Sequence, residues 1–205
     1  MELIKISNQT ARNFLVNYQN LNGNGNLKGS AGVTEYMNKV RCIQYDPLNV
    51  VGRNADLVLQ SRIKNFTPEV LFDLLYKERS LYDAADKMIG IIPTADYPAM
   101  ARIRQKTVEQ LKGILTWRKS LAALDLLDEI TDFIRENGPL PATKINIGEN
   151  VDSGKWGHKK LSSAALDYLY HSGVLGISSK NKTHKVYDLS ERLFPGEILK
   201  ASDPF

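Results

Sequence analysis

The chain has 205 residues with 27 basic and 23 acidic side chains, a net charge of +4, a pI near 9.0 and 42% apolar residues. This is an ordinary globular composition, and it excludes a disordered or collagen-like chain. A single cysteine, Cys42, excludes an internal disulfide and a cysteine-cluster zinc site, and it reads as a small buried residue. The first ten residues, MELIKISNQT, lack a signal-peptide apolar core, and no apolar run is long enough to span a membrane, so a cytoplasmic location is expected.

Residues 8–21 read as an amphipathic helix with Ala11, Phe14, Leu15 and Tyr18 on one face, and the Asn/Gly-rich run 20–32 reads as a loop. Residues 33–41 and 49–63 are expected to be helical, with Asp46-Pro47 starting or preceding the second. Thr67 and Pro68 form a cap and first turn for another helix, and residues 81–93 suit a wing-like hairpin. A helix over residues 97–117 links the halves. From Arg102 to Lys119 it carries six bases (Arg102, Arg104, Lys106, Lys112, Arg118, Lys119) against Glu109, which suits a phosphate track or a solvated face equally.

The second half is more regular. Leu124, Leu127, Ile130, Phe133 and Ile134 recur at helical spacing over residues 121–137, and Gly138-Pro139 stops that helix. A short helix at 141–147, a Gly-rich loop at 148–157, a third helix at 159–172 ended by Gly173, and strands at 174–178 and 184–189 follow. This order is that of a winged helix-turn-helix, whose third helix ordinarily reads a groove. Lys155, His158, Lys159 and Lys160 cluster at its entrance, and Lys180, Lys182, His184 and Lys185 decorate the wing, as phosphate contacts require. The fold class is therefore mainly α with small β hairpins (α+β), as tandem winged helix-turn-helix units. The first is irregular and occupies residues 1–98, a basic linker helix 99–120, the second unit 121–195, and a tail 196–205.

The segment IQYDPLNVV at residues 43–51 sets Gln44 and Asp46 two apart in an apolar run. If extended, both point to one face while Ile43 and Tyr45 point to the other. Asp46 can stabilise a developing cation and Gln44 can orient water; equally, Asp46 can cap a helix while Gln44 bonds backbone. There is no phosphate-binding Gly loop and no dinucleotide site, and His158, His171 and His184 lack metal-ligand spacing, so neither cofactor nor metal is expected. Trp117 and Trp156 suit base stacking, although Trp at the end of an amphipathic helix is more often core.

Residues 44–51, with Arg53 and the run LVLQSR at 57–62, resemble the AlkZ/YcaQ family of winged-helix DNA glycosylases, whose Gln-x-Gln/Asp signature reads here Gln44, Tyr45, Asp46. The stretches LYDAADKMIGIIPTADYP (81–98), GPLPATKINIGENVDSGKW (138–156) and KVYDLSERLFP (185–195) carry the same resemblance. Ala85, Lys87 and Met88 stand where relatives often carry a Trp and a His-Glu pair, and the further C-terminal region of such relatives is absent from these 205 residues. The resemblance implies a DNA-repair glycosylase acting on N7-alkylated purines and interstrand crosslinks in double-stranded DNA. Asp46 would stabilise the sugar and Gln44 the water, while Arg53, Arg62 and the basic helix, including Arg102 and Arg104, would hold phosphates. The alternatives are a non-catalytic winged-helix DNA-binding or regulatory protein and a truncated fragment lacking activity.

Overall fold

The computed structural model describes residues 3–23, 25–46, 48–85, 89–152, 158–181 and 183–201; of residues 85, 150–152, 158 and 159 only the backbone is described. Helices α1 (Asn8–Tyr18), α2 (Gly29–Val40), α3 (Asn54–Gln60) and α4 (Pro68–Tyr76) make up the first half with strands β1 (Ile43–Gln44), β2 (Leu81–Ala85) and β3 (Ile89–Pro93). The three strands form an antiparallel sheet in the order β1-β3-β2. The fold is thus α+β with small antiparallel sheets, as the sequence predicts.

Local chemistry explains most boundaries. Ser7 caps α1, its Oγ accepting from the Thr10 N–H at 3.0 Å. Pro68 opens α4, where its missing N–H costs nothing. Gly29 takes φ +53 and starts α2 four residues earlier than the polar run suggests. The larger departure is α3. Helix was expected over residues 49–63, yet only Asn54–Gln60 is helical. Gly52 adopts φ +150, which breaks any continuous helix before it.

Two short 3-10 turns, Thr94–Asp96 and Pro98–Met100, lead into α5 (Ala101–Trp117). The expected helix at 121–137 divides into a 3-10 segment, Leu121–Leu126, and α6 (Leu127–Asn137). Strand β4 (Leu140–Pro141) and a 3-10 turn, Ala142–Lys144, replace the expected short helix. In place of a plain Gly-rich loop, β5 (Asn150–Asp152) pairs with β6 (His158–Lys160). Helix α7 (Leu161–Ser172) ends at Gly173, φ +84, in a left-handed C-cap. Strands β7 (Leu175–Asn181) and β8 (His184–Leu189) form the hairpin, extended by β4 to the order β4-β8-β7. Short helices α8 (Ser190–Leu193) and α9 (Gly196–Lys200) close the described chain.

Val33, Met37, Leu59, Leu74 and Ile91 centre the core of the first half; Ile130, Ile134, Ala165, Leu166 and Leu175 centre that of the second. Each Val, Leu, Ile or Met among them contributes roughly 1.5–3 kcal/mol on burial. A third cluster joins the halves: Tyr82, Ala84 and Ile92 from β2 and β3 pack on Tyr97, Leu193 and Phe194. Two expectations about single residues fail here. Cys42 lies at the surface, and Trp117 is 71% exposed, because α5 turns its last apolar residue away from α7.

Candidate active site and nucleic-acid interface

Strand β1 sits at the sheet edge, with Ile43 opposite Ile91, Gln44 opposite Gly90, and the Tyr45 N–H donating to the Ile89 carbonyl at 2.8 Å. Side chains therefore alternate. Ile43 and Tyr45 are buried, whereas Gln44 is exposed and Asp46 partly so. The amide and the carboxylate share the outer face. Asp46 caps no helix. Its Oδ1 accepts from the Leu48 N–H at 2.9 Å, closing an Asx turn in the loop ahead of α3. Asn54 Nδ2 donates to the Gln44 carbonyl at 2.9 Å and ties the start of α3 to the motif.

Beneath the motif lies a buried ionic network that patterning does not reveal. Lys180, which was expected to decorate the wing, turns inward from β7. Its Nζ stands 2.5 Å from Asp83 Oδ1, with side-chain exposures of 7% and 1%. The same Nζ lies 3.4 Å from the centroid of the Tyr45 ring. Tyr76 Oη donates to Asp83 Oδ2 at 2.8 Å, and Tyr170 Oη to the Asp83 carbonyl at 3.0 Å. Burial pushes the Lys180 pKa down, and the Asp83 carboxylate opposes that shift. Burial likewise pushes the Tyr76 hydroxyl well above its ordinary range. Tyr45, between the two candidate catalytic residues, is thus held from below by a residue 135 positions further along the chain. The only sequence signal is an acid inside the apolar strand LYDAA, since a buried carboxylate needs a partner.

An open cleft of about 380 Å³ flanks this network, lined among others by Tyr45, Arg53, Asp56, Phe72, Tyr76 and Lys180. Arg53 Nε pairs with Asp56 Oδ2 at 2.6 Å. Asp56 Oδ1 is buried, with no hydrogen-bond partner among the described residues.

The candidate phosphate contacts differ in exposure and in what they touch. Arg62 is a strut: its Nε donates to the Gln19 carbonyl at 2.9 Å, its Nη1 to the Val58 carbonyl at 2.8 Å, and its guanidinium covers Tyr36. Arg104 donates to the Tyr97 carbonyl at 2.8 Å and stacks 3.9 Å from that ring. Lys185 Nζ lies 4.5 Å from the Tyr170 ring centroid, and Lys160 Nζ donates to Asn146 Oδ1 at 2.8 Å from an exposed position. Arg102 is exposed on α5. His158 and Lys159 pair through their backbones with Asp152 and Val151. Lys155 and Lys182 lie outside the described residues, as do Lys87 and Met88.

Helix α7 does not present a basic reading face. Leu161, Ser162, Ala165, Leu166, Leu169 and Tyr170 are buried; Ser163 and Asp167 are its exposed residues. Both line a groove of about 600 Å³ whose other wall is α5, through Leu111 and Ile114, and the residue that caps it, Arg118. Asp167 shares this groove with two bases, Arg118 and Lys160.

The chain matches a family described as DNA glycosylase AlkZ-like over residues 37–204. It belongs to that family, and with it to the DNA glycosylases of DNA repair, which act on DNA. No solved structure matches the chain. Among the described residues, no helix is long and apolar enough to cross a membrane.

Proposed function

We propose that this protein hydrolyses the N-glycosidic bond of N7-alkylated purines in double-stranded DNA, including purines joined in interstrand crosslinks. The observation that carries the reading is the shared outer face of Gln44 and Asp46 on a sheet edge, with the carboxylate oriented by the Leu48 N–H. N7 alkylation makes the base a cationic leaving group, so departure needs little acid. What remains is to stabilise an oxocarbenium-like sugar and to bring water to its anomeric carbon, the task that carboxylates perform in glycoside hydrolysis. Asp46 does the first and Gln44 the second. An edge position leaves room for a bulky crosslinked lesion. Arg53, Arg102 and Lys160 supply phosphate contacts.

The alternative of a groove-reading regulator without chemistry draws less support, since the open strip of α7 carries Ser163 and Asp167 and no base. The test is release of N7-methylguanine from duplex DNA. The parent chain releases it. Asp46→Asn lowers the rate by at least about 100-fold, the scale of losing one transition-state stabiliser, while DNA affinity stays near that of the parent. Gln44→Ala also loses release. Salt-sensitive DNA binding with no release by the parent rejects the glycosylase reading in favour of a binding protein.

A further inference from the structure

Immediately past Asp46, three apolar side chains stand in solvent: Leu48 is 69% exposed, Val50 89% and Val51 86%. Side chains of this size gain roughly 1.5–3 kcal/mol each on full burial, and here the chain leaves them uncovered. The loop that carries them is nevertheless closed at its base. The Asp46 carboxylate holds the Leu48 N–H, Asn54 Nδ2 holds the Gln44 carbonyl, and the Tyr45 N–H is fixed to Ile89 in the sheet. At the far end Gly52 takes φ +150, and a Cβ there would meet Leu57 Cδ2 at 2.8 Å, so the loop returns tightly onto α3. A pinned base under an apolar tip is the form of a wedge.

We propose that residues 48–51 are a wedge that enters the base stack of duplex DNA beside the nucleotide whose sugar meets Asp46. The proposal rests on the assignment of Asp46 to the glycosidic bond. DNA is the occupant because the family acts on it, the loop continues directly from the candidate catalytic strand, and the base stack is the apolar interior that a duplex offers. Inserting Leu or a similar side chain partly unstacks a base step and kinks the duplex. The cost is least where a base is damaged or missing, so the wedge favours lesions. It also couples recognition to chemistry. The loop's own N–H holds Asp46 Oδ1, so seating residues 48–51 between bases sets where the carboxylate meets the sugar.

The experiment uses the full chain and a duplex carrying a tetrahydrofuran abasic-site analogue flanked by 2-aminopurine, whose fluorescence rises on unstacking. The parent chain raises the fluorescence on binding. The triple variant Leu48→Ser, Val50→Ser, Val51→Ser loses the rise and binds this duplex about tenfold more weakly, as expected for losing one favourable wedge contact. Its affinity for undamaged duplex and its salt slope stay near the parent's, because phosphate contacts are untouched. These positions are exposed, so a circular-dichroism melt matches the parent. Binding by the parent without a rise overturns the proposal, as does a rise retained in the triple variant. A triple variant altered only in self-association or in vesicle binding overturns it too, assigning the tip to a second copy or to lipid. A rise without N7-methylguanine release keeps the wedge and removes the glycosylase reading; release without a rise does the reverse.

Discussion

Lys180 and Asp83 form a buried ion pair at 2.5 Å, joining the hairpin of the second half to the sheet that carries the Gln-x-Asp motif. Because Lys180 also lies under the Tyr45 ring, this pair is the floor of the candidate active site. Removing the lysine strands a carboxylate in the interior. Lys180→Met is expected to cost about 3–5 kcal/mol, measured by urea unfolding. Adding Asp83→Asn removes the stranded charge and leaves an oxygen to accept from Tyr76 Oη, so the double variant recovers most of that loss. A double variant as unstable as the single one would show that the charge pair is not what holds the two strands.

Arg79 performs a second joining task at an irregular point of β7. The strand's register shifts between Ile177 and Ser179, leaving carbonyls without sheet partners. Arg79 Nη1 donates to the Ile177 carbonyl at 2.9 Å and Nη2 to the Ser178 carbonyl at 2.8 Å. Arg79→Ala strands two acceptors and should cost about 2–4 kcal/mol by the usual penalty for unpaired buried groups. Hydrogen exchange should accelerate across β7 well before it does in α2 or α4.

His171 gives the protein an acid-sensitive point. It is half-buried, its Nδ1 has no hydrogen-bond partner among the described residues, and burial lowers its pKa below the ordinary 6.5 against the pull of Asp167. Below pH 6.5 the unfolded chain takes the proton first, so stability falls as pH drops from there toward the folded-state pKa. His171→Gln should flatten the decline of Tm between about pH 7 and pH 5. An unchanged slope would assign the acid sensitivity to other groups.

Arg62 and Arg102 should separate structure from DNA contact. Arg62 is spent on the Gln19 and Val58 carbonyls, so Arg62→Ala should lower stability and leave the salt dependence of DNA binding unchanged. Arg102 is exposed on α5, so Arg102→Ala should reduce the slope of log K against log salt by about one. The opposite pattern would exchange their roles.

Much of this protein was legible in its sequence. Spacing of apolar residues located α6 and α7, Gly138 and Gly173 marked their ends, and alternation put Gln44 and Asp46 on one face, because these features depend on local backbone geometry and period alone. Residues 49–53 read as helix from apolar content and are loop, since a single glycine dihedral and the Asp46 side chain decided that turn. Only tertiary structure could send Lys180 inward to Asp83, give Arg62 to two carbonyls, lay α5 along α7 and leave Leu48, Val50 and Val51 in solvent. A lysine is written identically whether it faces water or a buried carboxylate. What decides is which strand lies opposite, and that partner comes from 97 residues away.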